Sequence, residues 1–155
     1  MNKYEKLLDE AYDNEIDVDE NYEFKGNLHG LYVDGNIALS DQLDTTREKS
    51  CVLAEELGHH YTSCGHIVNL SPAQNAKQER QARIWAYNSQ IGLKGLINAF
   101  EHGCRTQYEA AEFLDVTEAF LMEAIECYRS KYGTSTIYGN YYIIFIPHLA
   151  IGKLL

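Results

Sequence analysis

The chain has 155 residues and a formal net charge of −10, from 13 Lys and Arg against 23 Asp and Glu. The length suits one compact domain with room for a small appendage, and the composition, 45% hydrophobic and 23% charged, excludes a disordered chain. That acidity excludes a protein that coats nucleic acid by bulk charge, because phosphate binding needs a basic face.

Residues 2–13 read as a short amphipathic helix with Tyr4, Leu7, Leu8 and Ala11 on one face. Nothing after Met1 to Lys6 reads as a secretory leader, and no apolar run is long enough for a membrane span. The four cysteines form no CxxC pair, so reduced and mostly buried thiols in a cytoplasmic protein are expected. Residues 15–25 are acidic and mildly alternating, a loop or an edge strand. Leu31 to Val33 and Ile37 to Leu39 flank Asp34-Gly35-Asn36 and predict a β-hairpin.

Thr45 reads as an N-cap with Glu48 at the capping-box position, opening a helix to about Ser63. Ser71-Pro72 opens the next helix, to about Gln90, and a third runs from Lys94 to Glu101 and stops at Gly103. Thr106 to Asp115 and Thr117 to Tyr132 predict a tight helix pair. The tail from Thr136 to Ile146 is aromatic and β-branched, with Gly139-Asn140 as a turn, and predicts a strand or hairpin. The expected fold is α+β, mostly helical, with a small antiparallel sheet.

Chemistry concentrates in Leu53-Ala54-Glu55-Glu56-Leu57-Gly58-His59-His60-Tyr61. Carboxylates and imidazoles inside an apolar helix are costly unless paired or bound to a metal. Glu55 and His59, at i and i+4, share a helix face, and Glu56 is offset by one residue. This is the geometry of the zinc-peptidase motif H-E-x-x-H, with Glu55 in place of the first His. Carboxylate is an acceptable zinc ligand, and a catalytic site with three protein ligands leaves a fourth position for water. Glu79, on the helix opened by Pro72, is the best third ligand. Small Ala82 and Ala86 near its side would let the two helices pack closely, and Gly58 in mid-helix implies that something approaches there.

A rival frame through Glu56, His60 and His66 puts Leu57 where the base belongs and fails on chemistry. His60 is then expected to support the site or the core, and His29, His66, His102 and His148 to be surface or structural. No residue stands out as an oxyanion donor, and Tyr61 reads as core.

Three segments together resemble the ImmA/IrrE family of zinc metallopeptidases carried by phages and integrative elements of Gram-positive bacteria. They are Cys51 to Thr62, the string Lys77-Gln78-Glu79-Arg80-Gln81-Ala82-Arg83-Ile84-Trp85-Ala86, and Tyr108 to Thr117 with Lys131-Tyr132-Gly133. The resemblance covers roughly residues 45–133. It implies a zincin-like metallopeptidase core at 1–93, a helix-turn-helix-like subdomain at 94–133, and a tail at 134–155 packing on the core. It implies Zn²⁺, with Glu55, His59 and Glu79 at the ligand positions and Glu56 as catalytic base. The substrate it implies is a helix-turn-helix repressor of the same mobile element, inactivated by cleavage.

Two carboxylates and one imidazole cancel the charge of zinc, so a slow enzyme, partner dependence or a preference for a harder ion such as Mn²⁺ is expected. The alternative is a catalytically inactive anti-repressor that sequesters its partner. The predicted second helix of the pair carries Glu118, Glu123 and Glu126, with Arg129 and Lys131 only at its end, so direct DNA binding is not expected. The sequence leaves the oligomeric state open.

Overall fold

The structure, a computed structural model, describes residues 1–63 and 71–155. The chain divides into two units, Met1–Ser89 and Gln90–Leu155.

In the first unit, α1 (Lys3–Asp13) is capped by Asn2, whose side chain accepts the Glu5 N–H, and buries Tyr4, Leu7 and Ala11. The hairpin forms as expected from β2 (Gly30–Val33) and β3 (Asn36–Ser40). Its turn residues, Asp34 (φ 48°) and Gly35 (φ 79°), both take the positive φ that a two-residue turn of this twist requires. The acidic stretch is β1 (Asp17–Tyr22), and it pairs parallel with β3, so the sheet order is β1-β3-β2. The first sheet is therefore mixed. A partner parallel to β3 leaves no trace in local turn chemistry, because it needs no hairpin.

The helix α2 (Thr46–Thr62) starts at Thr45, whose hydroxyl accepts the Glu48 N–H at 3.1 Å. Its Leu53, Ala54 and Leu57 are sealed from solvent. It packs on α1, β2 and β3. The helix α3 (Pro72–Gln90) opens on a reciprocal box: Ser71 Oγ accepts the Gln74 N–H, and Gln74 Oε1 accepts the Ser71 N–H.

The second unit holds α4 (Gly92–His102), α5 (Gln107–Leu114), α6 (Glu118–Tyr132) and the antiparallel sheet β4 (Ser135–Tyr138), β5 (Tyr141–Ile144) and β6 (Ala150–Lys153). Gly103 ends α4 in the left-handed region, at φ 100°. Thr106 and Thr117 cap α5 and α6. Val116, Leu121, Ile143 and Phe145 lie at its centre with essentially no exposure. The strand β6 had no sequence signal, since Ala150 to Lys153 is short and interrupted by Gly152. Among the described residues no helix is long and apolar enough to cross a membrane.

The thiols correct one expectation. Cys51 is buried, but Cys104 and Cys127 are only half-buried, and none of the three is in a disulfide. Cys64 lies outside the described residues.

Candidate active site

The α2–α3 crossing places the polar cluster. A Cβ on Gly58 would fall on the Ala82 carbonyl oxygen, 2.9 Å from the carbonyl carbon and 3.0 Å from Cα. The helices touch backbone to backbone there, which is why α2 tolerates the roughly 1 kcal/mol that a mid-helix glycine costs. Ala82 and Ala86 are fully buried, as their size anticipated.

This close approach brings Glu79 of α3 to His59 of α2, with Oε1 3.4 Å from Nε2. The imidazole is mostly covered, and Glu79 is 44% exposed, so the pair opens to solvent on its Glu79 side. Glu56, one residue round the helix from Glu55, is pushed up to about 8. Burial is the main cause, followed by the negative charges of Glu55 and Glu79. Glu55 and Glu79 thus both act electrostatically on Glu56.

Glu56 is also covered from the sheet. A Cβ on Gly30 of β2 would lie 2.6 Å from Val52 Cγ1 and 3.1 Å from Glu56 Oε1, so it would collide with Val52 and press on this carboxyl. Two residues along β2, Tyr32 Oη lies 2.8 Å from His60 Nδ1. Their rings meet edge to face. His60 is thus tied to the strand, half-buried, while His59 faces Glu79. Gly30 and Tyr32 do not stand out in the sequence. Their signal is the alternation with Leu31 and Val33, which are exposed.

Tyr61 corrects another expectation. It is 39% exposed rather than core, stacks obliquely on Trp85 at 4.8 Å, and donates its hydroxyl to Glu10 Oε2 at 3.1 Å. Partial burial and the Glu10 charge push it up to about 12. It stays a neutral phenol committed to α1. His29, His102 and His148 are exposed, and His66 lies outside the described residues.

Do these residues fit a metal? Among the described residues no three His, Cys, Asp or Glu side chains form a group that could hold an ion, so Glu55 does not complete a set with His59 and Glu79. The pair itself fits well. Two donors bound to zinc at about 2.1 Å in tetrahedral geometry stand about 3.4 Å apart, the separation observed. The chemistry of the cluster, three carboxylates and an imidazole with one carboxyl raised by its neighbours, suits a dication. His59 and Glu79 could hold one.

The family model described as the IrrE N-terminal-like domain, a peptidase family, matches residues 14–126. The match takes in β1 to β3, α2, α3 and most of the helix pair. No curated protein and no solved structure matches the chain.

Proposed function

This chain belongs to the IrrE N-terminal-like (ImmA/IrrE) metallopeptidase family, and from that membership we propose that it is a metal-dependent endopeptidase whose substrate is a helix-turn-helix repressor. The observation that carries the reading is the His59–Glu79 pair at 3.4 Å beside a carboxyl, Glu56, raised to about 8. His59 and Glu79 would hold the metal, with Glu55 as third ligand. A bound Zn²⁺ would supply Lewis acidity toward a peptide carbonyl and an attacking water.

Glu56 is the general base. It accepts the water's proton at its carboxylate and passes that proton to the departing amine. A base must be able both to take and to release a proton near neutral pH, and burial beside two carboxylates tunes Glu56 upward for that task. A nearby dication would lower its affinity for the proton and leave it ionised and ready. Gly30 of β2 lies against the Glu56 side chain.

The acidic character of the chain suits a basic partner. With 13 cationic against 23 anionic side chains it would attract the DNA-binding face of a repressor and repel DNA. A catalytically idle anti-repressor is the second reading. One observation favours it: Glu55 does not gather with His59 and Glu79 into a three-donor group.

Incubating the purified protein with the helix-turn-helix repressor encoded beside its gene separates the two, with chelator and Glu56→Gln controls. Cleavage lost in both controls supports the peptidase. A repressor that loses DNA binding while intact, with Glu56→Gln as effective as wild type, refutes it.

A further inference from the structure

The second unit contains a cavity of about 430 Å³ between α4, α5, α6 and the β5–β6 connection. This volume lies in the range of small-ligand sites, about 300–1,000 Å³. Its walls are apolar, with Leu96, Phe100, Leu121, Ile125 and Ile151 among them. Its lining includes Arg105 and His148 but no Asp or Glu among the described residues. In a chain of net charge −10, a lining with an arginine and no anionic side chain is a distinct local environment.

The guanidinium is already fixed. Arg105 Nη1 donates to the Cys104 carbonyl at 2.9 Å and to the Phe100 carbonyl at 3.4 Å. Its carbon lies 5.2 Å from the centre of the Phe100 ring, itself part of the wall. These contacts use one η nitrogen. A pinned guanidinium loses little further freedom on binding, so more of the interaction appears as affinity.

We propose that this cavity is a binding site for a small amphiphilic carboxylate, its apolar body against the Leu96, Leu121 and Ile125 wall and its carboxylate on Arg105. Charge complementarity selects the anion. A neutral or cationic amphiphile finds the same wall but no partner for its head group. The site is independent of the peptidase reading and stands or falls without it.

The test is calorimetric titration of the full chain with octanoate, octanol and octylamine. Saturable octanoate binding is expected, with octanol at least tenfold weaker and octylamine weaker still. Arg105→Gln changes an exposed side chain and should bring octanoate down to the octanol level. Ala110→Leu, which fills the cavity, should abolish both, with an unchanged circular dichroism spectrum as its folding control. Octanol binding as tightly as octanoate, an unaffected Arg105→Gln, or no saturable octanoate binding up to its solubility would overturn the proposal.

Discussion

Replacing Glu56 by Gln should stabilise the metal-free protein while removing the proposed base. The Glu56 carboxyl keeps its proton to about pH 8 in the folded chain, against 4.5 when free of its surroundings. Between those values the folded state carries a proton that the unfolded state has lost, so stability falls as pH rises, by about 1.4 kcal/mol per pH unit. The contribution is complete below pH 4.5 and gone above pH 8. The whole span amounts to about 5 kcal/mol, and about 3 kcal/mol has gone by pH 7. Glutamine has the shape of the protonated acid and never ionises, so it keeps what the wild type loses.

Urea unfolding in the presence of a chelator, at pH 5, 7 and 8.5, measures this directly. The variant should match wild type near pH 5 and exceed it by about 3 kcal/mol at pH 7, or about 6–12 °C in Tm for a chain of this size. Saturating Zn²⁺ should narrow the gap, because a dication beside Glu56 favours its ionised form. A variant with the wild-type pH slope, or one less stable at pH 8.5, would refute the reasoning that burial and two neighbouring carboxylates raise Glu56.

Three further outcomes are expected. Gly58→Ala drives a Cβ into the Ala82 backbone, so despite better helix propensity it should lose about 1–3 kcal/mol in urea unfolding. Glu55→His raises the charge of the proposed ligand set by one and should tighten Zn²⁺ over Mn²⁺ in competitive titration; unchanged metal preference would show that residue 55 does not touch the ion. Tyr32→Phe removes the 2.8 Å contact with His60 and should cost about 1 kcal/mol, read as a shifted urea midpoint with the m value preserved.

Helix starts are legible because their signals are local. Thr45, Ser71, Thr106 and Thr117 all cap the helices that follow them, as their residue types predict, since an N-cap needs only its own hydroxyl and an N–H two or three residues on. Gly58 and Ala82 are legible as a close contact because glycine in an apolar helix is costly without one. The parallel pairing of β1 is not, since it depends on an edge 19 residues away in sequence and on no turn. Gly30 escapes for the same reason: its smallness answers to Val52 and Glu56, residues on another element. Local codes name the helices, and non-local contacts decide which side chains they leave for chemistry.

The two faces of α2 show how the cluster divides its tasks. Four residues of helix rise about 6 Å, and two residues of strand rise about 6.6 Å. The repeat Glu56–His60 therefore runs in step with Gly30–Tyr32, and both contacts form at once: carboxyl over glycine, imidazole on phenol. That docking commits one face of α2 to β2. Glu55 and His59, turned back by one residue, or about 100°, form a second face, and His59 meets Glu79 across the Gly58–Ala82 crossing. A shift of α2 by one residue would break both contacts: with Glu56 carried to the place of Glu55, Leu57 would lie beneath Gly30. The close approaches at Gly58 and Gly30 both belong to the observed register, in which the Glu56 carboxyl and the open His59–Glu79 pair lie on different faces of α2.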